Sequence, residues 1–191
     1  MKEPVDFYFD FSSPYGYLAA QKIEPLAARH GRAVKWRPML LGVAFKATGS
    51  GPLPSIPLKG DYSKRDFLRS ARFHGVPFRL PEPFPVSTVY ACRAFYATPE
   101  EKQVPLARAI YRAYFVDNAN IGEAESVLKV AASLGLKPDI NAQAIKDKTR
   151  AEVDAALAKG VFGSPYLIVD GEPFWGIDRF DQLERWLREP F

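Results

Sequence analysis

Two short stretches place hydroxyl groups where they could handle an anion. Ser12-Ser13-Pro14-Tyr15-Gly16 follows an apolar strand pattern, and Ser164-Pro165-Tyr166 repeats the Ser-Pro-Tyr tripeptide far along the chain. A serine at a helix start, with free backbone N–H groups and the positive dipole end behind it, suits a bound anion. The same Ser13-Pro14 pair is also a favoured helix start, with serine as N-cap and proline as the first helical residue. Taken alone, the pair needs no role beyond capping. The second Ser-Pro-Tyr raises the prospect of a site, because a cis X-Pro bond before a strand would present backbone groups to a ligand.

Other chemistry is narrowed by composition. Cys92 is the sole cysteine, which excludes intrachain disulfides and cysteine metal clusters. Its setting, VYACRAFY, suits a small buried apolar side chain. His30 and His74 each precede a glycine at an expected helix end, where favourable placement near the helix C-terminus explains them better than metal ligation. No metal site is expected. The net charge of +4 is spread over many segments, mildly favours anionic small molecules, and comes with no nucleic-acid reader motif. No apolar run reaches membrane-spanning length and the N-terminus lacks a signal-peptide pattern, so a cytoplasmic protein is expected.

The elements that must position these residues follow from periodicity. Val5–Phe11 reads as a strand, Tyr15–His30 as a helix kinked or split at Pro25, and Ala33–Pro38 as a second strand. Gly42–Asp61 reads as a long loop rich in glycine and proline. Helices are expected from a capping box at Ser63 and Asp66 to Gly75, and over Val86–Thr98, Pro105–Val116, Glu123–Leu134 and Ala142–Lys159. Phe78–Pro85 is a proline-rich connector. Tyr166–Asp170 and Pro173–Trp175 form a hairpin about Asp170-Gly171, and Arg179–Arg188 is a last helix. The 191 residues thus predict an α/β thioredoxin-like fold with a large all-helical insertion. The thioredoxin-like domain takes residues 1–41 and 160–191, and the insertion 42–159. Where that fold holds a Cys-x-x-Cys pair, this chain has Ser13, Pro14, Tyr15 and Gly16, which excludes disulfide exchange through the motif.

The whole chain resembles the 2-hydroxychromene-2-carboxylate isomerases, relatives of the kappa-class glutathione transferases in the DsbA-like thioredoxin superfamily. The resemblance is carried by FDFSSPYGYLA from Phe9, WRPMLLG from Trp36, FKATG from Phe45, KGDY from Lys59, DFLR from Asp66, ARFHGVPF from Ala71, GVFGSP from Gly160 and FWGIDR from Phe174. It implies a glutathione-dependent isomerase acting on an aromatic carboxylate of the hydroxychromene type, and a homodimer. Ser13 would hold the glutathione thiolate, and Ser164 with a cis Pro165 would pair with the glutathione backbone. Gly176, Ile177 and Asp178 would take the γ-glutamyl end, Asp178 meeting the ammonium; Asp178 could equally cap the last helix. Lys59 would meet a glutathione carboxylate, whereas without the resemblance it is a solvated loop lysine. Lys46 and Tyr15 would border the substrate. Ser50 and Ile177 depart from the family's usual polar residues and would weaken contacts to glutathione. A kappa-like glutathione transferase and a redox-inactive thioredoxin-fold binding module are the competing readings.

Overall fold

The computed structural model describes residues 2–191. Four strands form one mixed sheet in the order β2-β1-β3-β4: β1 (Val5–Phe9), β2 (Val34–Pro38), β3 (Tyr166–Val169) and β4 (Glu172–Trp175). β1 and β2 are parallel, linked through α1 (Pro14–Ala20) and α2 (Ile23–Arg29), while β3 runs antiparallel to both β1 and β4. Six helices lie between β2 and β3 in the chain: α3 (Leu41–Thr48), α4 (Lys59–His74), α5 (Val89–Tyr96), α6 (Glu100–Phe115), α7 (Ala124–Ser133) and α8 (Gln143–Ala158). The last, α9 (Phe180–Arg188), returns to pack near α2. This is the thioredoxin-like fold with a helical insertion that the sequence order predicts.

Strand alternation divides the core in two. Val5, Phe7 and Phe9 of β1 point to one face and are fully buried with Leu18, Ile23, Ile110, Tyr111 and Leu183. Tyr8 points to the other face, opposite Tyr166, and packs with Met39, Ala44 of α3, Ala156 of α8 and Val161. Covering both faces this way suits strands whose residues alternate at period two yet stay largely apolar. Aromatic edges stabilise the main layer: Phe9 meets Phe11 and Trp36 at 5.2 and 5.4 Å between ring centres, both near perpendicular.

Several local expectations need correction. The first helix breaks at Gln21-Lys22 rather than at Pro25, because Pro25 occupies the third position of α2, where its missing N–H is no loss. The expected loop from Gly42 contains α3, which buries Ala44 and stops at Gly49 in the left-handed conformation (φ 69°). Apart from Gly42, which lies inside α3, the glycines and prolines that suggested a loop begin at Gly49. α4 starts at Lys59, so Ser63 caps nothing; its hydroxyl donates to the Gly60 carbonyl inside the helix at 2.7 Å. α6 starts at Glu100, after Pro99, and carries Pro105 in its interior. α5 starts at Val89 instead of Val86, whose N–H donates to the Ser12 hydroxyl at 3.1 Å. The Phe78–Pro85 connector contains two cis prolines, Pro83 and Pro85, and no strand. Asp170-Gly171 turns the β3–β4 hairpin with positive φ at both residues, as the Asp-Gly pair predicts.

Candidate active site

A cleft of about 1650 Å³ opens between the carboxyl end of β1 and the inserted helices. It is lined by all nine residues singled out from the sequence, Ser13, Tyr15, Lys46, Lys59, Ser164, Pro165, Gly176, Ile177 and Asp178. They come from opposite ends of the chain and meet because β1 and β3 are neighbours in the sheet.

Ser13 is the N-cap of α1 and is 6% exposed. Its hydroxyl accepts the Gly16 N–H at 3.0 Å and donates to the Ser164 carbonyl at 3.0 Å. Capping is therefore real, and the same oxygen also ties the α1 turn to the loop before β3. The Ser164-Pro165 bond is cis. Among the described residues, the backbone N–H groups of Tyr15 and Ser164 find no protein acceptor. Both belong to residues that line the cleft, and such free donors suit a peptide-like, anionic ligand. The turn and the loop approach so closely that a Cβ on Gly16 would lie 2.6 Å from the Ser164 Oγ and 2.9 Å from the Tyr111 Oη.

The loop before β3 continues into the third part of the site. The Gly176 N–H donates to the Pro165 carbonyl at 3.0 Å, which fixes the turn of Gly176, Ile177 and Asp178 beside the cis proline. Gly176 sits at φ 103°, a conformation that a side chain would strain. Asp178 does not cap α9. The N-cap is Arg179, without a side-chain bond, and the Asp178 carboxylate stands 70% exposed, 3.5 Å from the Arg179 guanidinium. Ile177 borders the cleft while its side chain packs in the main core.

Lys46 on α3 and Lys59 at the start of α4 line the cleft, and neither forms an ion pair among the described residues. With Asp178 on the turn after β4, the lining carries these two lysines together with several carboxylates, Asp10, Asp66, Glu172 and Asp181 among them. Tyr15 lies between Ser13 and α4. Its hydroxyl donates to the Asp66 carboxylate, which also receives Arg69, and its ring meets Phe67 edge-on at 5.1 Å. Burial, and then the bond to Asp66, push the Tyr15 phenol well above its ordinary range, so it keeps its proton. Burial opposes ionisation of Asp66, yet the Tyr15 and Arg69 hydrogen bonds hold its carboxyl below the usual range. Tyr15 is thereby a fixed aromatic wall with a bound hydroxyl, not a base.

Sequence reasoning missed Asp66, Thr88 and above all Asp10. Asp10 stands inside the FDFSSP motif and is 4% exposed on the cleft floor, where burial pushes its carboxyl up. An acidic residue directly after the aromatic end of β1, Phe7-Tyr8-Phe9, was the available signal. Cys92 is free and fully buried, its thiol pushed well up by burial, as its apolar setting predicts. Among the described residues, no group of three or more His, Cys, Asp or Glu could hold a metal ion, and no helix is long and apolar enough to cross a membrane.

A split thioredoxin sheet, a cis-proline loop and a cysteine-free first turn define a class that comparison with known proteins makes explicit. The chain belongs to the DsbA-like thioredoxin domain family, whose profile matches residues 4–188. Within it the chain falls among the 2-hydroxychromene-2-carboxylate isomerases and the related kappa-class glutathione transferases. It is 32% identical to a 2-hydroxychromene-2-carboxylate isomerase of Sphingobium xenophagum, over 98% of this chain and 99% of that one. It is 27% identical to glutathione S-transferase kappa 2 of Caenorhabditis elegans, covering 100% and 94% of the two chains. A solved 2-hydroxychromene-2-carboxylate isomerase superposes with a TM-score of 0.84 at 28% identity, over 96% of this chain and 94% of that one.

Proposed function

We propose that the protein is a glutathione-dependent isomerase of the 2-hydroxychromene-2-carboxylate type, acting on aromatic pyruvate derivatives. The observation that carries this reading is the Ser13 hydroxyl lying 3.0 Å from the carbonyl of Ser164, next to a cis proline, in one cleft. The residues fit glutathione: free N–H groups at Tyr15 and Ser164, a carboxylate at Asp178 for an ammonium, and unpaired lysines for carboxylates. When bound, glutathione supplies a thiolate that adds reversibly to the conjugated double bond, allowing rotation and release of the trans isomer.

The chain's own residues have three tasks. Ser13 turns its hydroxyl proton from the Ser164 carbonyl to the sulfur and so favours the anion over the thiol. The Ser164-Pro165 loop and the Gly176–Asp178 turn hold the peptide body, with Asp178 at the ammonium and Lys59 at a carboxylate. Lys46 and the Tyr15 ring hold the acceptor, Lys46 by its carboxylate and Tyr15 against its aromatic plane. Phe67 and Phe84 extend that apolar wall, 6.0 Å apart between ring centres.

Incubation with a hydroxychromene carboxylate and catalytic glutathione, followed by product analysis, tests the reading. Formation of the trans isomer with glutathione fully recovered supports it. Release of a stable conjugate assigns the cleft to a kappa-like transferase instead. Binding of glutathione, seen as a higher melting temperature, without either product leaves a binding module.

A further inference from the structure

Asp10 is buried at the floor of the cleft, and none of the chemistry above uses it. Its carboxylate accepts three hydrogen bonds. Oδ1 receives the Ser12 N–H at 2.8 Å and the Thr88 hydroxyl at 3.1 Å, and Oδ2 receives the Leu41 N–H at 2.8 Å. No cation pairs with it among the described residues. A buried carboxylate without a counter-ion is expensive and persists only where hydrogen bonds compensate it. Two of the three donors are backbone N–H groups, which cannot accept an O–H, and of the three only the Thr88 hydroxyl can turn to accept one. The main chain of the same residue is engaged as well: its N–H donates to the Ser164 Oγ at 3.0 Å, and its carbonyl accepts the Ser13 N–H at 2.9 Å and the Tyr111 hydroxyl at 3.1 Å.

The two carboxylate oxygens serve different walls. Oδ1 holds Ser12, the residue before the proposed thiol-binding serine, and Thr88, just ahead of α5. Oδ2 holds Leu41, the first residue of α3, the helix that carries Lys46. We propose that Asp10 is a positioning residue that locks the thiol-side turn and the acceptor-side wall into one frame, one carboxylate oxygen for each. Its kinetic consequence rests on the glutathione reading; its structural consequence does not.

The decisive variant is Asp10→Asn. The amide oxygen can keep both donors of the Oδ1 position, which places the amide NH₂ against the Leu41 N–H. One bond to a charged acceptor is lost, and on the acceptor side only. Hydrogen exchange of the α3 amides should quicken by about tenfold or more, while the α1 amides keep their protection. The KM for the aromatic acceptor should rise by about tenfold, with glutathione affinity and saturated turnover falling far less. Equal loosening of α1 and α3, or a loss of turnover with unchanged KM, would mean a general stability role and overturn the proposal. If the wild type binds no glutathione, the glutathione reading fails, yet the exchange contrast between α3 and α1 still decides this one.

Should Asp10→Asn not fold, the wild type supplies the test. The Asp10 carboxyl carbon and the Ser12 and Leu41 amide protons can be followed by NMR against pH. The titratable groups facing Asp10 are Cys92, Tyr111 and Tyr114, and burial keeps all three protonated through the acid range. Both amide signals should therefore move in step with the Asp10 carboxyl. An amide that does not follow is not held by it, and the frame would not exist.

Discussion

Replacing Ser13 by alanine separates a helix cap from a thiolate site. In the structure the Ser13 Oγ makes two bonds, accepting from Gly16 N–H and donating to the Ser164 carbonyl, each at 3.0 Å. Loss of the cap bond should cost about 1 kcal/mol of folding stability. Loss of a hydrogen bond to a charged sulfur should cost about 1.5–3 kcal/mol, roughly ten- to hundredfold in thiolate population at neutral pH. Glutathione itself should still bind, because the Ser164 loop and the charged groups Lys59 and Asp178 remain. The assay is an ultraviolet titration of the bound thiolate in wild type and Ser13→Ala, with melting curves of both. The expected result is a higher thiol pKa and slower neutral-pH turnover in the variant. Equal thiol pKa values, with only the melting temperature lowered, would refute the reasoning and reduce Ser13 to a cap.

Three further outcomes are expected. Asp178→Asn should weaken glutathione binding several-fold and leave saturated turnover nearly unchanged, since its exposed carboxylate is remote from Ser13 in role; calorimetry against kcat checks this. Lys59→Ala should raise the glutathione Kd, whereas Lys46→Ala should raise the acceptor KM, and steady-state kinetics varying each ligand in turn would expose a shared effect. Tyr15→Phe removes a donor to Asp66, whose depressed folded pKa makes its stabilisation present above the ordinary carboxylate range and lost as pH falls through the folded value. The variant should therefore be about 1.5 kcal/mol less stable than wild type at neutral pH, with the difference shrinking as pH falls below the ordinary carboxylate range, as urea melts at several pH values would show.

Strand periodicity, the order of elements and the Ser-Pro pairs were legible in the chain because each depends on neighbours within a few residues. Phe7 and Phe9 alternate with Asp6 and Tyr8, and Asp170-Gly171 turns a hairpin wherever it stands between two strands. Gly31, Gly49 and Gly75 close helices in the left-handed conformation, though only composition-wide reading hid the helix before Gly49. Element starts were harder to place. Ser63 has the residue type of a cap, but Lys59 to Tyr62 are drawn into α4 by its packing on Leu53–Ser55, which a local pattern cannot weigh. Tertiary structure alone decided that Asp178 faces the Arg179 guanidinium instead of capping α9, that Ile177 turns its side chain into the core, and that Asp10 is a buried carboxyl group fed by three donors. The Asp10 outcome depends on Leu41 and Thr88, residues 31 and 78 positions away from it. A sequence specifies which groups can accept a hydrogen bond; only the packed sheet and helices determine which donors arrive.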